Sequence, residues 1–242
     1  MCSIELRVFD TYNDLYDGSG GIFLMTGEDR EYLFDHAQQL SEILNEECVE
    51  LLDMLEKIED RVAISRRINK LEDEGDHVFH EFADKLHIVE QDTERRMTIF
   101  QMARHVEDCV DMLDELSMTI VRYNTRTVSP GIKASINAIA GGVKKEMYVL
   151  NIMRTYEPEN KELFIRGINE FDAFKVDFYK MYDMLIFGLF SQAHDTVDII
   201  RSKAIYDAVK DIFKAFEVCA DDCYKYMMAR NSNDSDALET DN

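Results

Sequence analysis

Five carboxylates crowd the stretch INKLEDEGDHVFHEF, residues 68–82: Glu72, Asp73, Glu74, Asp76 and Glu81, with His77 and His80 among them. Glu72 and Asp76 are four apart, which on a helix means one turn along and about 40° around. Each follows a residue of an apolar seam, Leu71 and Gly75, so both flank a core. The stretch HVEDCVDMLDEL repeats the arrangement, with Glu107, Asp111 and Asp114 following Val106, Val110 and Leu113. Two such ladders at the same offset repel within each helix and across to the other. Three things offset that repulsion: protonation, arginines from elsewhere (Arg66, Arg67, Arg95, Arg96), or a bound cation. Oxygen-only ligand sets suit magnesium, manganese or ferric iron, and His77, His80 or His105 would complete a mixed set for iron or zinc. The bland alternative is that flanking positions in a bundle are simply charged.

The elements that must position these residues are long helices. Only two prolines, Pro130 and Pro158, interrupt 242 residues. The pattern predicts helices over 28–58, 60–88, 94–126, 131–156, 159–190 and 199–230. Ser129-Pro130-Gly131 is expected to end the third and Glu157-Pro158 the fourth. In the second helix Ile64, Ile68, Leu71, Gly75, Phe79, Phe82 and Leu86 recur at spacings of three and four; Ile99 to Ile120 do the same in the third. Such stripes pack helices side by side, and six in sequence suggest two three-helix units. The expected organisation is a loose leader over 1–27, a first three-helix bundle over 28–128, a second over 129–230, and a disordered acidic tail over 231–242.

A formal charge of −22 excludes the basic stripes that nucleic acid demands and argues against unaided docking on an anionic membrane. The N-terminus shows no secretory pattern, and the longest apolar stretch, Met184 to Phe190, is too short to span a bilayer. Five cysteines without framework spacing read as reduced thiols in a cytoplasmic protein. Sites for acyl transfer, zinc proteolysis or nucleotide binding are absent as motifs. A ferritin-like di-iron oxidase needs two Glu-x-x-His motifs, and only Glu74-Gly75-Asp76-His77 is present.

INKLEDEGDHVFHEF resembles the second-helix signature I-x-x-L-E-x-x-A-D-x-x-x-H-E of PhoU-like phosphate-transport regulators, and HVEDCVDMLDEL resembles that family's L-D-D-V-x-D-x-x-E run. LFSQAHDTVDIIRSKAIYDAV is similar to the connector and sixth-helix start of the distant PhoU relatives associated with low-affinity inorganic phosphate transporters. The resemblance implies an all-α fold of two tandem, pseudo-symmetric three-helix bundles and metal, iron or zinc first, on E(D)xxxD motifs. It implies a non-catalytic, cytoplasmic accessory role, peripheral at the inner face of the membrane through contact with a phosphate transporter. Carried over residue by residue, the first repeat supplies Glu72, Asp76, Glu107 and Asp111 as ligands, with Asp114 and His80 as additional candidates.

The second repeat departs from the pattern. Asp172 falls opposite Glu72, Val176 opposite Asp76, and Lys210 and Lys214 stand where carboxylates are expected. An Asp172–lysine ion pair in place of a second metal is the expectation, with an acidic ladder of Asp177, Asp207 and Asp211 as the alternative. Two other readings compete with the regulator: a di-metal carboxylate oxidoreductase, and a metal-free scaffold whose ladders bind protein. Long amphipathic helices also leave apolar surface for a homo-oligomer.

Overall fold

Helix ends in this chain are written in local chemistry. A computed structural model describes residues 27–90, 92–154, 161–191 and 195–239, without the side chains of Arg30, Arg95, Met153, Arg154 and Tyr226 and those after Met227. Six helices run α1 (Gly27–Glu56), α2 (Arg61–Val89), α3 (Thr93–Arg122), α4 (Pro130–Arg154), α5 (Lys161–Ser191) and α6 (Thr196–Glu239), with a 3₁₀ turn at Ile58–Asp60 between the first two. No strand occurs among the described residues.

Two boundaries differ from the sequence expectation for clear reasons. The third helix stops at Arg122, four residues early, because Asn124 turns left-handed at φ 51°. The Asn124 amide bonds back to the Val121 carbonyl and the Thr125 amide to Ile120, a Schellman stop with asparagine in the glycine role. Ser129 and Pro130 open the fourth helix instead of closing the third. The Ser129 hydroxyl accepts the Ile132 amide at 3.2 Å, and Pro130 takes the first helical position, where its missing N–H costs nothing. Over the residues expected to form a disordered tail, α6 is described to Glu239, through a stretch with neither proline nor glycine to stop it, and 240–242 lie outside the described residues. The leader expected over 1–27 lies outside the described residues except for Gly27.

Helices α1, α2 and α3 pack on one another, as do α4, α5 and α6, so the two triples predicted by the sequence are present. They meet broadly, α3 on α6 and α1 on α4. The predicted α3 seam is buried throughout, from Ile99 to Ile120. A second α3 face, Met102, Cys109 and Leu116, is buried as well. That is what a helix serving both triples requires. Both core clusters draw on all six helices: one holds Leu44, Ile68, Leu113, Ile139, Phe178 and Phe213, the other Leu40, Phe82, Val106, Val149, Phe164 and Cys219. Each fully buried ring or branched side chain there contributes about 1.5–3 kcal/mol.

A candidate metal centre between the first three helices

The seams set the position of the ladders. With Leu113, Val110 and Val106 turned to the core, the residues one step on lie at its edge. Glu107 and Asp114 are buried, at 3% and 4% exposure, and Glu72 is half-buried, while Asp76 and Asp111 remain exposed. Carboxylate oxygens of Glu107, Asp108 and Asp111 lie within 4.8 Å of one another, the one such acidic trio among the described residues. Arg104 stands 3.3 Å from Glu107 and 3.1 Å from Asp108. Among the described side chains it is the local counter-charge, while the side chain of Arg95, also nominated from sequence, lies outside the described residues. Arg67 instead pairs with Glu50 at 2.6 Å, and Arg96 donates to the Glu90 carbonyl at 3.2 Å.

The deepest acid of the cluster is one that sequence reasoning missed. Glu47 of α1 is fully buried, and neither of its oxygens has a hydrogen-bond partner. Burial, then the charges of Asp114, Glu72 and Asp111, push its carboxyl up to about 10. Glu47 therefore faces the α2 and α3 ladders from the third side. The signal was in the α1 stripe: Leu40, Leu44, Glu47, Leu51 and Met54 keep the three-and-four spacing, with a glutamate at a core position.

The same forces act on the predicted ligands. Burial, with Asp111 next, pushes Glu107 up to about 7, against the pull of Arg104. Burial also raises Asp111, Glu72 and Asp114, each further raised by neighbouring acids. Asp114 is partly relieved by Asn69, which donates to it at 3.4 Å. One oxygen each of Glu107 and Asp114 is buried without a hydrogen bond. Orphaned buried carboxylate oxygens from α1 and α3, with half-buried Glu72 of α2 beside them, are an oxygen donor set that a cation would fit, displacing the protons that burial favours. All donors are oxygen, which suits magnesium, manganese or ferric iron.

Of His77, His80 and His105, His80 alone touches a predicted ligand, Asp76. His80 is exposed, its ring bonded to the Asp76 carbonyl at 2.7 Å and 3.3 Å from the Asp76 carboxylate. His77 is exposed beside Glu81, and His105 lies 2.8 Å from Asp222 of α6. Glu74 and His77, the ends of the single Glu-x-x-His, both face solvent.

In the second triple the expected ion pair is replaced by another. Asp172 pairs with Lys175, one turn along α5 at 3.0 Å, and Lys175 reaches Glu217 of α6 at 2.9 Å. Lys214 is held by Asp211, and Lys210 lies over the Tyr182 ring. The bridge between helices therefore starts from α5, because Lys175 is half-buried on the facing side and Lys214 is exposed. The alternative ladder is also neutralised piecewise: Asp177 pairs with Lys180, Asp207 with Lys203, and Asp211 with Lys214.

No family model matches the chain, and no curated protein matches it. Solved structures do. A PhoU-like protein from Shewanella oneidensis MR-1 superposes with a TM-score of 0.68 at 17% identity, covering 82% of this chain and 99% of its own. A protein described as a putative PhoU-like phosphate regulatory protein, from the same organism, gives 0.59 at 17%, covering 87% and 100%. The six helices, paired in two triples, are those of the PhoU-like fold.

Proposed function

We propose that the protein is a non-catalytic regulator of inorganic phosphate transport, with a metal ion held by carboxylates between α1, α2 and α3. The observation that carries the metal is Glu47: a fully buried carboxyl with two orphan oxygens, set beside Asp114, Glu72 and Asp111. Glu107 and Asp111 would be the rim ligands, Glu72 and Asp114 the flanking ones, with Asp76 at the exposed edge. The ion's role is structural in this reading: it replaces protons, relieves acid–acid repulsion and ties three helices together. Manganese, magnesium or iron suits the oxygen set better than zinc.

The regulatory part draws on the fold, since one structural relative is described as a putative phosphate regulatory protein. A partner surface supports it. Met184, Phe187 and Phe190 share one face near the end of α5 and are 59–74% exposed; Val197 and Ile200 are exposed at the start of α6. Large exposed apolar groups gathered at one end of a bundle mark a docking surface. No helix among the described residues is long and apolar enough to cross a membrane. The proposed place is the cytoplasmic face, against the transporter.

The test is phosphate uptake in cells that lack the gene, complemented by wild type, by Glu107→Ala/Asp111→Ala, and by Phe187→Ser/Phe190→Ser. Altered uptake restored only by the wild type supports the reading. Uptake indifferent to the deletion over a range of external phosphate overturns it.

A further inference from the structure

A second cluster of ligand-type side chains lies away from the carboxylates, where α3, α4 and α6 meet. Cys219 and Cys223 are one turn apart on α6, at 0% and 1% exposure, and Cys109 of α3 is fully buried. Glu146 of α4 joins them at 5% exposure, and neither of its oxygens has a well-formed hydrogen bond. Glu146 and Cys223 line a cavity of about 10 Å³, the room of a single water or ion, closed otherwise by Val149, Phe171 and Ala220.

An apolar interior has no use for such a carboxylate. Burial pushes Glu146 up to about 8, and the Cys219 thiol, a weak donor, offsets only part of that. The thiol of Cys219 is itself held by Cys223 and shielded by burial. Three buried thiols and a buried carboxyl are thus gathered from three helices.

We propose that Glu146, Cys219 and Cys223, with Cys109 as fourth ligand, form a closed site for a thiophilic divalent cation, zinc being the best fit. Zinc takes sulfur and oxygen in a tetrahedron, and structural sites are closed to solvent. Thiolate donors select it over the magnesium and manganese that suit oxygen. Binding is a proton exchange with no electron transfer: the cation enters as the thiol and carboxyl protons leave to solvent. With Cys109, Cys219 and Cys223 as thiolates beside the Glu146 carboxylate, the filled site carries two excess negative charges. The four ligand atoms stand wider apart than a bound cation holds them, since among the described residues only the acidic trio Glu107, Asp108 and Asp111 lies within 4.8 Å. Turns about the cysteine and glutamate side-chain bonds would have to close the set on binding. The cation supplies the free energy for that ordering. This site is independent of the carboxylate centre, shares none of its ligands, and stands or falls separately.

The test is titration of full-length, metal-stripped, reduced protein with cobalt(II), followed by zinc. The expected result is an intense thiolate-to-cobalt charge-transfer band in the near ultraviolet with tetrahedral bands in the visible, bleached by zinc. The bands should persist in Glu107→Gln/Asp111→Asn and vanish in Cys219→Ser/Cys223→Ser, with far-ultraviolet circular dichroism checking that helix content is kept. Glu146→Gln, nearly the same volume, should keep the fold and weaken cobalt by roughly tenfold or more. Cobalt bound without a charge-transfer band, bands surviving in the double cysteine variant, or no cobalt uptake at all would each overturn the site.

Discussion

Replacing Glu47 by glutamine should stabilise the metal-free protein, and the size of the gain should depend on pH. Glu47 is fully buried and its carboxyl is raised from 4.5 to about 10. A carboxyl that holds its proton more tightly folded than unfolded costs stability as pH rises from about 4.5, and the loss continues until about 10. At pH 7 the size of that cost does not depend on the exact folded value, because the group is still protonated in the fold. It is set by the distance from the unfolded value, about 2.5 pH units at about 1.4 kcal/mol each, or about 3 kcal/mol. Glutamine matches the neutral acid in shape and polarity and has no proton to lose. Urea denaturation in chelator should therefore show Glu47→Gln level with wild type near pH 4.5 and about 2–3 kcal/mol more stable at pH 7. The difference should grow with pH between these points. Saturating manganese should shrink or reverse it, since ligand at about 100 times its dissociation constant adds about 2.7 kcal/mol to the wild type alone. A glutamine variant that is less stable at every pH, or a difference flat in pH, would refute the buried neutral carboxyl.

Three further outcomes follow from named contacts. Manganese affinity should rise steeply between pH 6 and pH 8, because Glu47, pushed up to about 10, and Glu107, pushed up to about 7, must both lose a proton to bind; Glu107→Gln should remove only its own share, about tenfold, in calorimetry. Asn124→Ala should lose about 1 kcal/mol in thermal denaturation by forcing an alanine left-handed at φ 51°, while Asn124→Gly keeps most of the stability. Gly142→Ala should destabilise by about 1 kcal/mol or more, despite better helix propensity, because its methyl would meet the fully buried Phe216 ring at 2.7 Å.

The sequence carried the helices and their inner faces because a period of three and four survives any choice of partner. It carried the ladders of α2 and α3 for the same reason: their offset from the seam is local. Glu47 escaped because it sits in the run Glu46-Glu47 among other acids, where its charge masked its place in the stripe Leu44, Glu47, Leu51. The second buried face of α3, through Cys109 and Leu116, depends on α6, more than seventy residues on in the chain, and periodicity within one helix does not name its neighbours. Ion-pair register was equally hidden. Lys175 reaches both Asp172 and Glu217, a choice made by the spacing of α5 and α6 and not by either helix alone. Serine and proline at 129 and 130 were read as a stop although their chemistry is that of a start.

Metal content tests the central claim most directly. Protein purified without chelator or affinity nickel should carry about one or more equivalents of manganese or iron by mass spectrometry. Glu47→Gln/Asp111→Asn, purified alongside and shown to be folded, should carry none at the carboxylate centre, and cobalt spectra should separate any metal left at the thiols. Equal manganese or iron in both proteins, or none in either after growth in medium supplemented with both, would contradict a metal held between α1, α2 and α3.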